Sequence, residues 1–202
     1  MSSIPYVPAF SGRKALFTRL GMLLLLASCC LAQSVLSTGD TVPDFVLTSH
    51  QGKATSFRSL QGKVVLLTFL YTKCPDPTMC PMTASKLSQL RQMADNLGPE
   101  GRDKVVLVAI SLDPKKDTPE VLRSYASRFK GSPGGYLFLT GDARTIARVA
   151  NAFGVMYFEE NGKIAHNLRT YLIGADQRIV WSASDNDWKP EDLLGRIRSQ
   201  LR

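Results

Sequence analysis

"KVVLLTFLYTKCPDPTMCPM", residues 63–82, sets an apolar run directly against a loop that holds two cysteines. Residues 63–71 are almost unbroken β-branched, leucine and aromatic side chains, the mark of a strand buried on both faces. Pro75 and Pro77 cannot occupy a helix interior, so the five residues between Cys74 and Cys80 form a bent loop. Pro81 suits the first turn of a helix. Residues 82–97 then place Leu87, Leu90, Met93 and Leu97 at helical spacing, with Gly98 and Pro99 as a stop. Cys80 therefore falls at or beside the N-cap, where unpaired N–H groups and the positive end of the helix dipole favour a thiolate. Lys73 adds a nearby positive charge. Cys74 falls where the strand ends, on the carboxyl edge of the sheet, and such edges bind ligands in open α/β folds.

The pattern repeats outward from this stretch. "DFVLTSHQGKATSF" (44–57) predicts two short strands around a turn, and "KVVLVAISL" (104–112) a second buried strand. "DTPEVLRSYASRF" (117–129) predicts a helix with Asp117 or Thr118 as N-cap and Pro119 in the first turn. A strand over 136–140 and a helix over 143–154 follow. "VMYFEENGKIAH" (155–166) predicts a hairpin turning at Asn161-Gly162. Strands over 169–174 and 178–183 and a terminal helix over 189–201 complete the chain. Strands alternating with helices, then a strand pair and a last helix, indicate a three-layer α/β domain with a mixed sheet, compatible with a thioredoxin-like fold. No repeat, low-complexity tract or second domain boundary is present in the sequence.

The first 32 residues read as targeting rather than fold. Arg13, Lys14 and Arg19 precede an apolar run over residues 20–32, shorter than the roughly 20 residues a membrane-spanning helix needs, and this is the pattern of a signal peptide. "LASC" (26–29) resembles a bacterial lipobox, which would place the cut before Cys29 and leave that residue lipidated. A cut after Ala32 would release a soluble protein instead. One acyl chain binds membrane weakly and several hold it, so the two routes differ in tethering. Removing residues 1–32, with three basic and no acidic groups, takes the net charge from +8 to +5. That mildly basic domain, 33–202, has no basic run interleaved with aromatics and no sign of a nucleic-acid partner.

Export also removes Cys29 and Cys30 from the count, so the folded part keeps Cys74 and Cys80 alone, in a compartment that permits disulfide or metal chemistry. A structural disulfide between them would close a short ring, with a stabilisation at the small end of the usual range. A redox pair or a soft metal site fits the exposed loop as well. Zinc takes four ligands, or three with water, whereas copper(I) is content with two or three soft donors, so a third ligand decides. The chain has two histidines. His50 reads as a solvated turn residue, and His166 ends the second arm of the predicted hairpin.

Three blocks of sequence resemble the Sco/SenC family in the same order. They are "GDTVPDFVLTSHQGKATSFRSLQGKVVLLTFLYTKCP" (39–75), "SLDPKKDTPEVLRSYA" (111–126) and "HNLRTYLIG" (166–174). The resemblance implies a thioredoxin-like copper-binding protein of the bacterial cell envelope. Such a protein assists maturation of the dinuclear copper centre of cytochrome c oxidase, by delivering copper, by reducing target cysteines, or both. Its implied ligands are the thiolates of Cys74 and Cys80 and the imidazole of His166. They would hold copper(I), or copper(II) with added oxygen donors. The implied partner is a copper-receiving cuproprotein, a subunit of the oxidase. One departure stands out: the family commonly has three residues between the cysteines, and a spacer of five loosens the preorganised site. Asp113 is implied either near the site or as a turn residue before Pro114, and Asp117 is expected to cap its helix. A thiol–disulfide oxidoreductase is the alternative, with Cys74 or Cys80 as nucleophile. Against it stand the missing Cys-x-x-Cys spacing and the missing proline ahead of residues 169–174. An exported sensor that binds metal and delivers none is a third reading.

Overall fold

The computed structural model describes residues 35–202; the expected leader, with Cys29, Cys30 and both expected cleavage positions, lies outside them. The described chain runs β1 (Val46–Ser49), β2 (Ala54–Ser56), β3 (Val64–Leu70), α1 (Cys80–Asp95), α2 (Pro99–Lys104), β4 (Val105–Ser111) and α3 (Pro119–Ala126). It continues through β5 (Tyr136–Thr140), α4 (Ala143–Ala152), β6 (Tyr157–Glu160), β7 (Lys163–His166), β8 (Thr170–Ile173), β9 (Ile179–Ala183) and α5 (Pro190–Gln200). Among the described residues no helix is long and apolar enough to cross a membrane.

The two apolar runs lie at the centre, as their composition demands. β3 and β4 are buried at every residue and pair in parallel, Val64 with Val105 through Leu70 with Ser111. β5 adds to β4 in parallel, while β8 adds to β3 antiparallel, giving a mixed sheet of order β2-β1-β5-β4-β3-β8-β9. Alternate side chains of β3 and β4 supply the two faces. Val65, Leu67, Phe69, Val106, Val108 and Ile110 pack beneath Ile146, Val149 and Phe153 at α4. Val64, Leu66, Val105 and Leu107 pack beneath Leu87 and Leu90 of α1 and Leu193 and Ile197 of α5. Each such buried Leu, Ile or Val contributes about 1.5–3 kcal/mol, so the two-sided burial of β3 and β4 dominates the core. The three-layer, thioredoxin-like α/β fold is the one expected from the sequence.

Two local features differ from the sequence reading. Gly98 and Pro99 stop α1 but also start α2, because Gly98 reverses the chain at φ 88° and Pro99 then opens the next helix. On α1 the face turned inward includes Arg91, fully buried, while Met93 and Leu97 are only half-buried. The Arg91 guanidinium pairs with Asp95 at 2.8 Å and donates to the carbonyls of Val105 at 2.6 Å and Gly101 at 2.7 Å. One side chain thus joins α1, α2 and β4, and its methylenes run against Gly131 and Gly135.

β6 and β7 form the expected hairpin, a separate two-stranded sheet. Asn161 and Gly162 take positive φ values of 52° and 75°, the backbone that a tight two-residue hairpin turn requires. The register sets Glu160 opposite Lys163 and Tyr157 opposite His166. Tyr157 and Ile164 pack against the α4 side of the core, and Ile164 also touches the patch of Leu70, Tyr71 and Cys80. The hairpin therefore carries His166 to the carboxyl edge of β3.

Candidate functional site

β3 ends at Leu70, and the chain leaves the sheet through buried Tyr71 into the cysteine loop. Cys80 is the first residue of α1 and only 1% exposed; Met79 occupies the N-cap position without a side-chain cap bond. Cys74 is half-buried, and both thiols are free.

Both ends of the loop are pinned by side chains from distant segments. At the near end Asp117 accepts from the Thr72 backbone N–H at 3.0 Å and from the Thr72 hydroxyl at 2.5 Å. It also accepts from the Ser111 hydroxyl at 2.6 Å and is buried. This corrects the expected capping role. Thr118 is the cap of α3, accepting from the Val121 N–H, and the neighbouring aspartate turns inward to fix the loop. Asp113 is buried too and organises the turn before α3, where its carboxyl lies 3.5 Å from Lys116 Nζ. Lys116 Nζ also donates to the Gly162 carbonyl at 3.3 Å, which ties that turn to the hairpin tip.

At the far end Asn186, in the segment after β9, donates through Nδ2 to the carbonyls of Thr78 at 2.9 Å and Met79 at 3.2 Å. Its Oδ1 accepts from the Thr83 hydroxyl at 2.9 Å, and Lys86 Nζ donates to the Asn186 carbonyl. Between the clamps Asp76 accepts from the Thr78 N–H and hydroxyl at 2.8 and 2.6 Å. The loop is therefore held before Cys74 at Thr72 and at the far end of the spacer at Thr78 and Met79. Sequence reasoning missed Asn186, because a single asparagine in a polar loop belongs to no motif.

His166 reaches Cys80: Nε2 lies 3.4 Å from Sγ. Its Nδ1 lies 2.9 Å from the Asn167 carbonyl, which can only accept, so Nδ1 carries the proton and Nε2 turns its lone pair toward the sulfur. The ring also stands edge-on to Tyr71 at 6.0 Å. Burial lowers the His166 pKa and keeps the imidazole neutral, the state in which it ligates a metal. Burial, reinforced by Cys74 alongside, pushes the Cys80 thiol well above its ordinary range. That direction, set first by desolvation, runs against the thiolate expected at the start of α1, and with Nδ1 protonated the S–H donates to Nε2. Burial likewise pushes the Tyr71 and Tyr125 hydroxyls up to about 12.

Among the described residues no three His, Cys, Asp or Glu side chains stand close enough together to hold a metal ion as they are. Cys80 and His166 are paired at 3.4 Å, and Cys74 is the remaining residue of the expected ligand set. It borders the same cavity as Cys80, about 260 Å³, walled by Tyr71, Tyr125, Arg128 and Phe129. Two sulfurs and one neutral imidazole make a soft donor set, suited to copper(I) more than to a hard ion. His50 takes no part. It is half-buried rather than solvated, accepting from the Phe138 N–H at 3.4 Å and packing edge-on to that ring at 6.0 Å.

A family model described as SCO1/SenC matches residues 34–202. A SCO2-like protein of Rickettsia felis is 31% identical over 144 residues, 68% of this chain and 66% of the relative. The matches span 65–66% of the length of such curated relatives, short of two thirds of their chains. Among solved structures, Bradyrhizobium japonicum ScoI with copper bound is 31% identical with a TM-score of 0.66, covering 81% of this chain and 99% of that one. A SCO1/SenC family lipoprotein from Bacillus anthracis is 25% identical with a TM-score of 0.72, covering 84% of this chain and 100% of that one.

Proposed function

Because this chain belongs to the SCO1/SenC family, we propose that it is an exported copper chaperone that holds one copper ion through Cys74, Cys80 and His166. Its acceptor is a cuproprotein of the cell envelope, a cytochrome c oxidase subunit whose dinuclear copper centre it helps to mature. Residues 1–32 direct export, and an acyl chain on Cys29 or the uncut apolar segment holds the domain at the membrane. The observation that carries this reading is the approach of Cys80 Sγ to His166 Nε2 at 3.4 Å, between residues remote in sequence. With Nδ1 committed to a carbonyl, Nε2 is aimed at the site before any metal arrives, as orienting partners of metal-binding histidines do. Loading removes the Cys80 proton, so uptake releases protons and requires both thiols reduced.

The test is titration of copper(I) into the reduced chain against bicinchoninate, in a Cys29→Ser/Cys30→Ser background so that leader thiols do not compete. Wild-type domain residues should hold one equivalent, and His166→Ala should weaken that hold by about 100-fold. Equal retention by His166→Ala, or no retention by the unaltered site, would remove the three-ligand reading. One arrangement favours the thiol–disulfide alternative: Cys74 is accessible and Cys80 lies buried behind it. Cys74 thiolate would attack a target disulfide and release one target thiolate. Cys80 would then attack the mixed disulfide, release the second thiolate and leave Cys74 and Cys80 joined. Reduction of insulin at thioredoxin-like rates would put that activity first.

A further inference from the structure

Cys74 borders two cavities. The inner one holds Cys80. The other, about 330 Å³, lies between the cysteine loop and the β6–β7 hairpin and is lined among others by Tyr71, Cys74, Asp76, Met79, Glu160 and Lys163. Tyr71 and Cys74 are the residues common to both; Met79 borders only the outer cavity and Cys80 only the inner. The spacer thus brings a second sulfur-bearing residue, the thioether Met79, to the wall of a cavity that Cys74 also lines.

We propose that Cys74 and Met79 form an outer copper(I) site, at which the ion is received before it moves inward to Cys80 and His166. The inference rests on the chaperone reading and adds a place of entry to it. A thioether is a soft donor that needs no deprotonation, so Met79 can take copper(I) without releasing a proton. Its backbone is fixed: the Met79 carbonyl accepts from Asn186 Nδ2 at 3.2 Å and from the Thr83 N–H at 3.0 Å. The side chain makes no cap hydrogen bond to the helix. Asp76 and Glu160 add carboxyl groups to the wall, against the single ammonium of Lys163. On receipt of the ion the Cys74 proton passes to buffer; in the inward step the bond from copper to the Cys74 sulfur is kept, the bond to the Met79 sulfur breaks, and bonds to the Cys80 sulfur and to His166 Nε2 form. The Cys80 proton passes to buffer, and no electron moves.

Two measurements in the Cys29→Ser/Cys30→Ser background test this. In stopped-flow uptake from copper(I) bicinchoninate, Met79→Leu should load about tenfold more slowly than the unaltered site while final affinity stays within about twofold. In the selenomethionine-labelled Cys80→Ser/His166→Ala variant, which leaves only the outer donors, X-ray absorption should show copper bonded to selenium, and Met79→Leu should abolish that signal. Loading at the unaltered rate by Met79→Leu, or no copper–selenium scattering, overturns the outer site and leaves the chaperone reading standing. If the unaltered site holds no copper, both fall together.

Discussion

Asp117 gives its two carboxyl oxygens to three donors, and through Thr72 it sets the point from which the chain departs toward Cys74. Asp117→Ala leaves the Thr72 N–H and hydroxyl and the Ser111 hydroxyl without an acceptor in a buried setting. The expected loss is about 3 kcal/mol of stability, read from the urea midpoint, with weaker copper(I) retention beside it. Asp117→Asn should recover only part of either, because its amide nitrogen offers a donor where an acceptor is needed. The sequence could not assign this role. Asp117 and Thr118 both have cap-forming side chains, and only the fold shows that one faces α3 and the other the cysteine loop. Cys74, Cys80 and His166 stand out as candidates because sulfur and imidazole are rare in this chain and their chemistry is distinctive, and the fold brings two of them, Cys80 and His166, together. The state of Cys80 was not legible, since burial is a property of its surroundings and not of its position before Pro81.

The β6–β7 hairpin is the element that brings the imidazole to the Cys80 sulfur. Its turn depends on Gly162 at φ 75°, a conformation that costs a side-chain-bearing residue roughly 1–2 kcal/mol. Gly162→Val should therefore weaken copper(I) binding by about tenfold as the hairpin reorganises. The thermal midpoint should fall little, because the hairpin is a sheet apart from the seven-stranded core. Chelator competition and a melt on the same sample check both halves. This element was readable from Asn161-Gly162 alone, since no other short signal fixes a turn so strongly. α2 was not, because the same Gly98-Pro99 pair both ends one helix and begins another. The Asn186 clamp also belongs to this scale, as it forms only when the segment after β9 folds back over the start of α1.

For the molecule as a whole, acid should act through both histidines before it acts through carboxyls. Burial sets the folded pKa of His50 and of His166 below the ordinary 6.5, so the unfolded chain binds more protons in the window just below that value. Their contribution is complete above pH 6.5 and is lost as pH falls toward the folded values. Urea midpoints should decline from pH 7.5 to 5, and His50→Gln/His166→Gln should flatten that decline. The carboxyls of Asp44, Asp76 and Asp142, lowered by hydrogen bonds, add their losses at lower pH. The alternation of strands and helices made the layers legible at this scale. The order β2-β1-β5-β4-β3-β8-β9 was not, because pairing depends on contacts between segments far apart. The buried Arg91 has a consequence for how such sequences diverge. A methyl group at Gly131 would sit 2.5 Å from Arg91 Cγ, and one at Gly135 would sit 2.8 Å from Cδ. Neither glycine is free to drift while the arginine stays, and a shorter residue at 91 would open a void that larger ones at 131 and 135 could fill. Descendants of this chain should inherit the three positions as a set.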